Sequence, residues 1–111
     1  MYHTIASNDE LQQLISTEDA TLIYVSSDEC GVCKVLKPKI AELFSEKFPK
    51  TTLNYVSTTD IPEIAAQMSI FAIPTVLVFF NGQEFIRESR NIALGILEEK
   101  VERPYGMLFE N

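Results

Sequence analysis

The chain has 111 residues, 46% of them hydrophobic, and a formal net charge of -7. That length and apolar content suit one domain with its own core, and the negative charge opposes binding to nucleic-acid phosphates or to anionic lipid. No stretch approaches the roughly 20 apolar residues of a membrane span, and the first residues lack a basic cluster leading into a long apolar run. The expected setting is the cytoplasm, and the expected partners are proteins or small molecules.

Ser7 and Glu10 have the spacing of a helix capping box and precede Leu11, Leu14 and Ile15 at helical intervals, which predicts a first helix over 8–16. Thr21-Leu22-Ile23-Tyr24-Val25 is a nearly continuous apolar run, as expected of a strand covered on both faces. Ser26 to Glu29 supply turn and cap chemistry. From Cys33 onward, Val35, Leu36, Ile40, Leu43, Phe44 and Phe48 recur at helical spacing up to Pro49. A second helix is expected to begin near Cys30 and to bend at Pro38. Residues 52–57 read as another buried strand, and 61–68, with Pro62 in its first turn, as a short helix. Thr75 to Phe80 and Gln83 to Ser89 flank Asn81-Gly82, the strongest hairpin signal in the chain. Residues 92–101 form a closing helix, and a further strand over 2–6 would lie at the start. The order predicts an α/β fold with a central mixed β-sheet flanked by helices on both faces.

The two cysteines, Cys30 and Cys33, are separated by two residues. A disulfide across so short a loop removes little unfolded-state entropy, so its value lies in chemistry rather than in stapling. On a first helical turn, residues i and i+3 share a face with β-carbons about 5 to 6 Å apart, slightly wider than a disulfide prefers, which suits a bond that cycles. Cys30 at the helix start faces unpaired N–H groups and the positive end of the dipole, so it is the expected attacking thiolate. Cys33, one turn deeper, is the expected resolving thiol. Glu29 and Lys34 act in opposite directions on that thiolate.

Two other readings stand beside this one. The pair could be half of a zinc site, with only His3 as a further soft ligand, so that a second subunit would have to complete it. It could also be two small buried side chains, or the thiols could be incidental in a binding module that holds partners on the surface around Pro74.

The chain resembles the thioredoxin family over roughly Ile5 to Val101. The resemblance rests on Cys30-Gly31-Val32-Cys33-Lys34 after a buried strand, Pro38 in the next helix, Ile73-Pro74-Thr75 before the hairpin and Asn81-Gly82 at its turn. It implies a thioredoxin-like fold for residues 1–111, with 103–111 as a C-terminal extension. It also implies thiol-disulfide oxidoreduction at Cys30 and Cys33 without a bound cofactor. Clients would be disulfide-containing proteins, and electrons would come from a reductase or a low-molecular-weight thiol. A cis Ile73-Pro74 bond beside the cysteines would leave the Ile73 backbone to pair with an extended substrate, with Gly31, Val32, Ile73 and Pro74 as the contact residues.

The sequence departs from the family pattern at several points. Glu29 stands where the family has an aromatic residue, Val32 where it has proline, Tyr24 at its buried acid and Tyr55 at its buried lysine. Resolution by Cys33 is therefore expected to be slow. Ile70 to Ile73 form an apolar run that fits either a docking surface or core. The apolar residues Tyr105, Met107, Leu108 and Phe109 are expected to pack on the domain or on a second subunit.

Overall fold

The computed structural model describes residues 2–27 and 31–109, and of residues 31–33 only their place in a helix. The elements in chain order are β1 (Tyr2–Thr4), α1 (Asn8–Thr17), β2 (Ala20–Ser26), α2 (Gly31–Lys47), β3 (Thr52–Ser57), α3 (Glu63–Gln67), β4 (Thr75–Phe80), β5 (Gln83–Ser89) and α4 (Leu94–Phe109). The five strands make one mixed sheet in the order β1-β3-β2-β4-β5. β3 runs parallel to both β1 and β2, whereas β4 is antiparallel to β2 and to β5.

Alternation along the two central strands divides the core into two layers, because successive side chains of a strand point to opposite faces. Leu22 and Tyr24 of β2 join Val76, Val78 and Phe80 of β4 against α2 (Ile40, Ala41, Phe44) and α4 (Leu97, Val101, Tyr105). Ile23 and Val25 join Leu77 and Phe79 on the other face, against α1 (Leu11, Ile15) and α3 (Ile64). Both faces are covered, so β2 and β4 are buried along their whole length. Burying each such aliphatic or phenyl side chain contributes roughly 1.5 to 3 kcal/mol before conformational entropy is counted.

Local chemistry sets the element ends. The Ser7 hydroxyl accepts from Glu10 N at 3.1 Å, and the Glu10 carboxylate reaches back to accept from Ala6 N at 2.7 Å. That reciprocal bond falls one residue before the cap, on Ala6 rather than on Ser7 itself. Asn81 (φ 52°) and Gly82 (φ 80°) both take the left-handed conformation, which a two-residue hairpin turn of this hand requires.

α3 and α4 differ from the sequence expectation at both ends, and β1 stops at Thr4 rather than reaching residue 6. α3 is limited to Glu63–Gln67, with Pro62 as its cap residue. α4 begins at Leu94 and continues past Val101 to Phe109, with Pro104 inside it. Proline removes one helical hydrogen bond. The turn around it is nevertheless anchored, because Tyr105 is buried against the rings of Phe48 (5.1 Å between centroids) and Phe109 (4.7 Å). The Tyr105 hydroxyl also accepts from Lys50 N at 3.1 Å. Of the four tail residues expected to pack, Tyr105, Leu108 and Phe109 thus close one end of their own core, whereas Met107 is 65% exposed.

Candidate functional site

β2 ends at Ser26, and α2 begins at Gly31. Cys30 and Glu29 lie outside the described residues. Gly31, Val32 and Cys33 are placed as the first three residues of α2, with their side chains outside the description. One of the two cysteine positions is thereby fixed on a helix that starts directly after the buried central strand.

The register of the sheet brings the proline segment to the same place. Tyr24 pairs with Val76 and Val25 with Thr75, so Thr75, the residue after Pro74, lies opposite the next-to-last residue of β2. The Ile73-Pro74 bond is cis, as the resemblance implied. Pro74 is held from both sides of the chain. Its carbonyl accepts from Arg90 N at 2.8 Å. The Thr75 hydroxyl donates to Ala72 O at 2.6 Å and lies 2.9 Å from the Ser89 hydroxyl. The loop before it is tied down by Arg87, which donates to the carbonyls of Met68 and Ser69 and to both Glu84 carboxylate oxygens, each at 2.9 Å.

The apolar run 70–73 divides between the two roles open to it. Ile70 is buried in the α1/α3 layer, whereas Phe71 is 91% and Ile73 37% exposed. Phe71 and Ile73 therefore form surface, and Ile70 is the anchor that holds it.

Beneath the start of α2, the positions of the family's buried acid and lysine are taken by Tyr24 and Tyr55. They are cross-strand partners on β2 and β3, with ring centroids 6.4 Å apart. Tyr24 is fully buried. Burial above all, and then the neighbouring Tyr55, pushes its phenol up to about 12. Tyr2 extends the cluster with its ring 6.1 Å from Tyr24 and donates to Lys37 O at 2.9 Å. Its pKa is raised by burial and then by Tyr24. Lys37 of α2 sits 3.7 Å from the centre of the Tyr55 ring and 5.0 Å from that of Tyr2. Burial pulls its pKa down. The region that holds charged groups in the family pattern is here an aromatic box closed by one lysine. Lys37 was not singled out in the sequence, although its position four residues after Cys33 on the same helix was a readable signal.

His3, the one further soft ligand considered for zinc, lies 3.0 Å from the Glu10 carboxylate. Among the described residues, no group of three or more His, Cys, Asp or Glu side chains converges on a metal position.

The second flank of the site is a groove of about 380 Å³ lined by Val35, Leu36 and Lys39 of α2 and by Arg90, Asn91, Ile92 and Ala93 of the β5–α4 connection. Sequence reading missed it because its two walls are more than fifty positions apart. The readable hint was Arg90, which follows a strand without the glycine its backbone would favour.

A buried strand followed in the chain by a helix that carries Cys33, with a cis-proline loop leading into the neighbouring strand of a five-stranded mixed sheet, defines a thioredoxin-type fold. The thioredoxin family model matches residues 3–102, and the chain belongs to that family. It is 31% identical over 103 residues to the thioredoxin-like protein YdfQ of Bacillus subtilis, spanning 93% of this chain and 88% of that protein. It is also 31% identical over 110 residues to a thioredoxin-like protein of Fusarium culmorum, spanning 91% of each. The fold matches the oxidised mitochondrial thioredoxin 3 of Saccharomyces cerevisiae with a TM-score of 0.80 at 22% identity, over 91% of this chain and 93% of that one. Thioredoxin O2 of Arabidopsis thaliana gives 0.80 at 21% identity, over 94% of each. The general class of the protein is thus a thiol-disulfide oxidoreductase.

Proposed function

We propose that the chain reduces disulfides of client proteins by cycling Cys30 and Cys33 between dithiol and disulfide. The observation that carries this reading is the cis Ile73-Pro74 bond, followed at once by Thr75, which pairs with Val25 near the end of β2, the strand that precedes the Cys33 helix in the chain. The Cys30 thiolate attacks one sulfur of the client disulfide. The S–S bond breaks, the other client sulfur leaves as a thiolate, and a mixed disulfide to Cys30 remains. Cys33 then loses its proton and attacks the Cys30 sulfur, which releases the second client thiol and leaves Cys30-Cys33 oxidised. Two electrons from a reductase or a low-molecular-weight thiol restore the dithiol. No bound cofactor takes part.

Each surrounding group has a role in this scheme. Phe71 and Ile73, both exposed, offer apolar contact to the client, and the Ile73 backbone offers strand-like pairing beside Gly31 and Val32. Tyr24 is not the proton acceptor for Cys33: a phenol pushed up to about 12 stays neutral at pH 7 and is a weak general base. The proton passes to water, so resolution is slower than in relatives that keep a carboxylate at this place. The reading places the activity in a reducing compartment such as the cytoplasm, because an isolated pair of cysteines two residues apart serves cycling better than stapling.

The test is turnover of a protein disulfide with dithiothreitol as electron source. The native chain accelerates the reduction, and both Cys30→Ser and Cys33→Ser abolish the acceleration. A native chain no faster than dithiothreitol alone contradicts the proposal.

A further inference from the structure

On an acidic molecule, the groove between α2 and the β5–α4 connection is lined by two cations and no acid among the described residues. Its floor is apolar, from Val35 (60% exposed), Leu36, Ile92 and Ala93, and Lys39 and Arg90 stand on opposite walls. Arg90 is joined directly to the proline loop through its N–H to Pro74 O, 2.8 Å. It also takes φ 64°, a left-handed conformation that glycine adopts freely and a side chain with a β-carbon does not. Backbone strain kept beside a functional loop points to a use for the side chain that carries it.

We propose that Arg90 and Lys39 select client polypeptides whose reactive cysteine is flanked by acidic and apolar residues. This rests on the disulfide-reducing reading above and names the class of substrate. A client strand pairing at Ile73 runs past Pro74 onto Arg90, whose guanidinium donates two parallel hydrogen bonds to a carboxylate. Lys39 meets a second carboxylate as a point charge, and the client's apolar side chain covers Val35. The overall charge of -7 acts against any acidic client at long range, so a preference for acidic clients has to come from a local site.

Two peptides test this, with the same internal disulfide and the same Leu beside it. One carries Asp and Glu flanks, and the other carries Asn and Gln. Each is mixed with the reduced protein at low ionic strength, and the second-order rate of peptide reduction is measured. The acidic peptide reacts about tenfold faster than the neutral one, and the ratio shrinks as salt screens the contact. Arg90→Gly combined with Lys39→Gln brings the ratio to about one, while Arg90→Lys retains part of it. The glycine variant fits the backbone at φ 64°, so its melting temperature is equal to or above that of the native chain. An acidic peptide no faster than the neutral one overturns the inference and leaves the redox reading intact. Reduction of neither peptide overturns both.

Discussion

The residue that most separates this chain from the pattern of its family is Tyr24. Burial raises a carboxyl from about 4, toward the range where it exchanges protons with a thiol, whereas a buried phenol is pushed further from it. The consequence falls at alkaline pH. An unfolded tyrosine ionises near pH 10, and in the folded chain burial raises Tyr24 to about 12. The fold therefore disfavours the phenolate. Its stability holds in full below about pH 10 and is lost as the pH climbs toward 12, at up to about 1.4 kcal/mol per pH unit for each such tyrosine. Tyr2, raised in the same direction and for the same leading reason, adds to the slope. Urea unfolding from pH 7 to 11.5 is expected to give a flat midpoint up to about pH 10 and then a fall, with a shallower fall in Tyr24→Phe. A slope unchanged in that variant contradicts the assignment.

Among the elements, α4 shows where local sequence signals fail. Its pattern of Leu94, Leu97 and Val101 was readable, but Pro104 reads as a stop, since proline both lacks a donor and crowds the preceding turn. What carries the helix through it is tertiary. Tyr105 packs between Phe48 and Phe109, and Lys50 lies over the Phe109 ring, 5.1 Å from its centre. Phe48 and Lys50 lie in the loop just after α2, about fifty-five positions earlier, and no window along the chain contains both partners. Tyr105→Ala is expected to cost about 3 kcal/mol in denaturant unfolding, through lost aromatic packing and the orphaned Lys50 N–H. A cost below about 1 kcal/mol would mean that the last two turns of α4 contribute little to the core.

The hairpin β4–β5 is the opposite case. Its turn residues, its alternation and its length are all local, and its place in the sheet follows from them.

For the whole molecule, the architecture was legible because both covered strands, β2 and β4, are continuous apolar runs, and helices alternate with strands on either side of them. The site was legible in part. Cys30 and Cys33 announce themselves by spacing. Ile73 and Pro74 were reached through resemblance, since nothing in their composition brings the segment before β4 to the end of β2. That placement comes from the antiparallel pairing of β2 with β4, Val25 with Thr75. The sequence signals at Lys37 and Arg90 acquired a meaning only once α2 was set over Tyr55 and the β5–α4 connection against Pro74.

The central proposal is that Cys30 attacks and Cys33 resolves. The most direct measurement is to incubate Cys33→Ser with an oxidised client protein and to map the product by mass spectrometry. A stable one-to-one mixed disulfide joining a client cysteine to Cys30 is expected, and no such adduct with Cys30→Ser. No adduct through Cys30, with the client disulfide left intact, would contradict it.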